Sequence, residues 1–242
     1  MKLEDCFPYT FKAMRARLGI KGSPPMSGGD REGLHVSWVD RARSDDSDLC
    51  HEMITTYGFT EEQMRRAAER FRLGRSKSGK TIYWMIDEMG NWQDGYIGAS
   101  HSHEAWVSTL LKQRYPEAAP YLHFDHCLFG LHQILIESKP IGIVESARSA
   151  VLLSEIYPDL IWMAYVIGVG FTEYSLEPLQ GHKIILYPNA EDGLGDYLAF
   201  LDLADHARRK FHLDVTVSSF LEDHATSDQK SRGIDLVDYL YK

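Results

Sequence analysis

Cysteine is scarce in this 242-residue chain, which has only Cys6, Cys50 and Cys127. An odd number of widely spaced thiols argues against a disulfide framework and for a reducing, cytoplasmic compartment. Close Cys–Cys pairs are missing as well, so a structural zinc site is not expected. Long apolar runs are also lacking. None approaches the roughly 20 residues of a membrane span, and the opening MKLEDCFPYT puts acids where the apolar core of a signal peptide would begin. No membrane partner is expected. Positive charge is in deficit, with 26 Lys and Arg against 35 Asp and Glu. The net charge of −9 falls almost wholly beyond residue 130. A broadly basic, nucleic-acid-coating surface is therefore excluded, and any contact with DNA or RNA needs a local patch. No internal repeat is evident.

What remains is an ordinary globular composition, 44% hydrophobic and 25% charged, in a chain long enough to bury a substantial core. Three regions are expected. Residues 1–56 form an N-terminal segment that is partly loop-like, because 20–48 are rich in Gly, Pro, Ser and charge. Residues 57–138 form a smaller α+β region. There, Thr60 and Gln63 make a capping box for a helix over TEEQMRRAAERF. A strand over 81–87 turns at 88–91 and returns from Trp92 to Gly98, and a short helix follows over 105–114. Residues 139–242 alternate strands at 141–145, 160–166, 183–187 and 214–219 with helical segments at 147–156, 173–180 and 194–210. A last short helix covers 235–241. This rhythm predicts an α/β fold with a mostly parallel sheet flanked by helices.

Gly74-Arg75-Ser76-Lys77-Ser78-Gly79-Lys80-Thr81 matches the P-loop pattern. The chemistry needs that loop to follow a strand and open a helix, so that backbone N–H groups face the phosphates. Here a helix precedes and a strand follows, so a basic turn is expected and no ATP-binding P-loop. The surrounding cations Arg65, Arg66, Arg70, Arg72, Arg75, Lys77 and Lys80 form a local basic cluster, with Tyr83 and Trp84 close behind. Such a cluster suits phosphate contacts and base stacking, or else is a solvated helix face. His101, His103, His123, His126, Cys127 and His132 invite a zinc reading, but adjacent His126 and Cys127 suit one tetrahedral ion poorly. Cys127 lies in the apolar stretch CLFGLH and reads as a packing residue rather than a nucleophile.

Two apolar runs end on metal-ligand side chains. Ile141-Gly142-Ile143-Val144 stops at Glu145-Ser146, and Ile184-Ile185-Leu186-Tyr187-Pro188 stops at Asn189-Ala190-Glu191-Asp192. In α/β sheets, ligands sit beyond the carboxyl ends of the strands. Neighbouring strands would gather Glu145, Asn189, Glu191 and Asp192 into one oxygen-rich site for Mg²⁺ or Mn²⁺. The same residue types also cap helices at such turns, and the spacing leaves both readings open.

These strand ends resemble a Toprim domain, the metal-binding fold of bacterial primases, topoisomerases and some nucleases. The order of Tyr83–Asp87 with Gly90, Cys127–His132, Ile143–Ser146, Ile161–Ala164, Leu186–Asn189 and Asp235–Leu240 is similar, over roughly residues 57–242, to an uncharacterised primase-like Toprim family of bacterial mobile elements. The resemblance implies Glu145 as general acid/base or metal ligand, and Glu191 and Asp192 holding Mg²⁺ or Mn²⁺ beside Asn189. It also implies the basic cluster, with Arg148, on a nucleic-acid backbone. The departures are specific. Asn189 stands where relatives carry aspartate, and Glu145-Ser146-Ala147-Arg148 stands where they read Glu-Ser-Glu-Lys. Before residue 57 only Cys6 and Cys50 are present, so a zinc ribbon is not expected. Two readings follow: a primase-like protein acting on or binding nucleic acid, or a non-catalytic binding or inhibitory module of a mobile element or phage that engages a host protein.

Overall fold

The computed structural model describes residues 37–99, 102–114, 116, 126–165 and 170–241. The part of the N-terminal segment before residue 37, together with Cys6, His101, His123 and the His103 side chain, lies outside the described residues. Between His126 and Cys127 the chain divides into two compact units.

In the first unit, helices α1 (Ser37–Ala42), α2 (Asp48–Thr55) and α3 (Glu61–Arg70) precede an antiparallel sheet in the order β1 (Gly74–Arg75), β2 (Thr81–Ile86), β3 (Trp92–Ala99), β4 (Ser102–Trp106). Helix α4 (Val107–Arg114) follows. The capping box forms as the sequence expects: Thr60 Oγ1 accepts the Gln63 N–H at 3.2 Å, and Gln63 Oε1 accepts the Thr60 N–H at 2.9 Å. Strand β2 is buried along its whole length. It holds Trp84 edge-on to Trp92 and stacks Tyr83 on Tyr96 at 4.7 Å. Gly95 is required beside Trp84, because a Cβ there would lie 2.7 Å from the indole ring.

The second unit carries the fold class read from the sequence. Strands β5 (Ile141–Val144), β6 (Ile161–Ala164), β7 (Lys183–Leu186) and β8 (Asp214–Val217) form a sheet in the order β6-β5-β7-β8, with every pairing parallel. Helices α5 (Ala147–Ile156), α6 (Gly195–Phe211), α7 (Phe220–His224), α8 (Ser227–Ser231) and α9 (Leu236–Tyr241) and the 3₁₀ turns Leu131–Leu135 and Glu173–Leu179 complete it. Ile141, Ile143, Met163, Ile184, Leu186, Phe200 and Val215 form one buried cluster. Strand β5 is apolar throughout because both its faces are covered, as parallel strands require. Strands β7 and β8 instead alternate, with Lys183 and Asp214 exposed. The chain leaves β5 toward β6 and then returns past β5 to β7. The order reverses at this point, and a crevice opens there beyond the strand ends.

Candidate functional site

Glu145 follows β5 directly, and Asn189 lies three residues beyond β7, the strand hydrogen-bonded beside it. Parallel register therefore delivers both to one crevice, and the Asn189 amide donates to Glu145 Oε2. Two further segments complete the site. Ala190 N–H bonds the Ile234 carbonyl at 2.9 Å, an isolated bridge that carries Asp235 alongside. Asp235 is then pinned twice. One oxygen caps α9 by accepting the Asp238 N–H at 2.8 Å, and the other accepts from the Ser149 hydroxyl of α5. Glu191 Oε1 accepts the Asp196 N–H at 2.8 Å and so caps the start of α6. Ser146 caps α5 through its hydroxyl. Of the two readings open in the sequence for these turn residues, capping is met at Glu191.

Electrostatics single out Glu145. Burial pushes its carboxyl above the ordinary value of 4.5, and Asp196, Asp235 and Glu191 push it further. Asp196 is raised as well, by burial and by Glu191. Among the described residues no Lys, Arg or His pairs with any of these four half-buried carboxylates. The donor set is entirely oxygen and suits a hard divalent cation. The Asn189 amide faces this set with its NH2 group, donating to Glu145.

Of the residues expected in the site, Glu145, Asn189 and Glu191 come together. Asp192 does not: it is exposed beside them and takes no part in the cluster. Adjacency in sequence suggested it, but the chain turns away after Glu191. Asp196 and Asp235 were missed. A helix-start acid was the available signal for Asp196, whereas Asp235 depends on a tertiary bridge. Arg148, expected on a nucleic-acid backbone, is only 5% exposed and is not displayed for such contact.

The basic cluster is displayed but largely paired. Arg65 meets Glu61 at 2.9 Å and Asp45 at 3.5 Å, Arg66 meets Glu62 at 3.2 Å, and Arg75 donates to the Asp46 carbonyl at 2.8 Å. Arg72 is half-buried with φ 50°, and Lys77 is exposed. Tyr83 and Trp84 cannot stack on bases, since β2 buries both to 2% or less. The P-loop-like segment is the turn of the β1–β2 hairpin, closed by Ser76 N–H to the Lys80 carbonyl at 2.9 Å.

Residues 47–190 match the family described as "Domain of unknown function (DUF6371)". The chain belongs to the DUF6371 family. In this DUF6371 protein the matched region contains Glu145 and Asn189, whereas Glu191, Asp196 and Asp235 lie beyond it. No curated protein matches the chain. Among solved structures it is similar to the primase fragment of the bacteriophage T7 primase-helicase protein, at 14% identity and a TM-score of 0.47, covering 86% of this chain and 81% of that one.

Elsewhere in the DUF6371 chain, His126 bonds the buried Asp94 at 3.2 Å and packs on Trp106. His132 is buried, and Cys127 is half-buried against the sheet core. Among the described residues no group of three His, Cys, Asp or Glu side chains is already placed to hold a metal ion, the acid cluster included. No described helix is long and apolar enough to cross a membrane.

Proposed function

We propose that the second unit is a Toprim-like acidic centre that takes Mg²⁺ or Mn²⁺ and through it engages nucleic-acid phosphates in a primase-like role. The observation that carries this reading is Glu145 at the strand reversal, its carboxyl raised by burial and then by three other carboxylates, with no basic partner among the described residues. Uncompensated carboxylates in a half-buried crevice cost the fold free energy, and a divalent cation offsets that cost. Glu145, Glu191, Asp196 and Asp235 would hold the ion, beside Asn189. When bound, it supplies charge neutralisation at a phosphodiester. Without the ion Glu145 retains a proton to higher pH than an ordinary carboxyl, and coordination would release that proton. The exposed cations of the first unit, Lys77 among them, would contact the backbone.

A second reading has its own observation. The Asn189 amide donates to Glu145 and so does locally part of what a cation would do. On this reading the centre is a degenerate one, and the protein is a binding module of a mobile element or phage that engages a host protein.

Calorimetric titration with Mn²⁺ separates the two. The metal reading expects one saturable event, weakened about tenfold or more by Glu145→Gln. If the wild-type chain binds nothing at millimolar Mn²⁺ while Asn189→Asp creates binding, the centre is degenerate.

A further inference from the structure

One side of the acid cluster opens into a cleft of about 480 Å³. Its wall is aromatic. Tyr165 and Phe171 stack with centroids 4.5 Å apart and planes 10° apart, and Phe200 lies 5.7 Å from each. Glu145, Glu173, Asp196 and Asp202 also line it, and no Lys or Arg is among the described lining residues. Lys210 engages Glu173 at 3.3 Å, and His206 lies 3.5 Å from Asp202. Asp196 and Glu145 have no such partner among the described residues. The Tyr165 phenol, raised by burial and then by Glu145 and Asp196, ties the aromatic wall to the acids.

This lining excludes two ligand classes. An anion meets four carboxylates and a single imidazole. An alkyl group would desolvate those carboxylates without bonding them. An organic cation is suited to both surfaces, because ring faces attract it and carboxylates accept its N–H groups. A guanidinium fits best, since it is planar, stacks on aromatic rings and offers five donors in a fixed fork. Helix α6, which lines the cleft, also exposes Leu198 at 56%, one turn beyond Leu194 at 41%. That apolar surface would serve residues flanking an arginine in a polypeptide and does nothing for a free amine.

We propose that the cleft receives an arginine side chain of a partner polypeptide, its guanidinium against Tyr165 and Phe171 and its N–H groups donated to Asp196 and Asp202. The contact needs no metal, so it is tested in EDTA, where failure of the divalent-cation reading has no bearing on the result. The full chain, with isotope-labelled aromatic rings, is titrated with an acetylated Leu-Gly-Arg-Gly-Leu amide and with the same peptide carrying neutral citrulline. The arginine peptide is expected to shift the Tyr165, Phe171 and Phe200 resonances saturably, and the citrulline peptide is not. Asp202→Asn and Phe171→Leu are each expected to weaken binding by roughly threefold or more, with thermal melts confirming that both variants fold. Equal shifts from both peptides overturn the proposal. So does the absence of shifts at millimolar peptide, or shifts produced by a metal-free nucleotide but not by the arginine peptide.

Discussion

At the residue scale, Glu145 concentrates the cost of the site. Its folded carboxyl lies above the ordinary 4.5 because burial and three neighbouring acids disfavour the charged form. The sign follows from proton linkage. Below the ordinary value both folded and unfolded chains hold the proton, and no penalty exists. As pH rises from the ordinary value toward the raised folded value the penalty grows, and above the folded value it is fully present. Glu145→Gln should therefore raise the melting temperature of the metal-free protein at neutral pH by roughly 1–4 °C, an advantage that vanishes near about pH 4. Melting curves across that range check it, and a neutral-pH loss of stability in the variant would contradict the assignment. Glu145 and Asn189 were legible because each ends an apolar run and parallel β-strands place such ends together. Asp196 and Asp235 were not legible as site residues. One looked like a routine helix-start acid, and the other arrives through the Ala190–Ile234 bridge, which has no periodic signature.

At the element scale, periodicity and capping identified most segments. Helix α5 spans Ala147–Ile156, the range expected, and α3 starts at its capping box. Strand β4 was missed, because its short mixed sequence lacks alternation. The availability of Tyr83 and Trp84 was misjudged for a different reason: a sequence shows that a strand is apolar but not that both its faces will be covered. The charge cluster behaved as an amphipathic helix face, with Arg65 and Arg66 each pairing one turn back. Such exposed pairs contribute only about 0–1 kcal/mol, so they can exchange for phosphates at small cost. Gly142 sets how closely β5 packs. A Cβ there would meet the Trp162 ring at 2.8 Å. Gly142→Ala should cost about 1–3 kcal/mol in urea denaturation, and an unchanged midpoint would show that the ring has room to move.

At the scale of the whole molecule, charge and topology agree. The first unit is nearly neutral and carries the basic cluster. The second holds nearly all the net charge of −9 and gathers four of its acids where the parallel sheet reverses order. An acidic surface of this kind repels nucleic acid unless a cation stands between them. On the proposed function a cation would sit in the crevice between the ends of β5 and β7. Crystals soaked in Mn²⁺ and measured at an anomalous wavelength test it directly across the entire molecule. The strongest anomalous peak is expected within coordinating distance of Glu145, bordered by Asn189, Glu191, Asp196 and Asp235. A crevice without a peak, with the Asn189 amide still donating to Glu145, would contradict it.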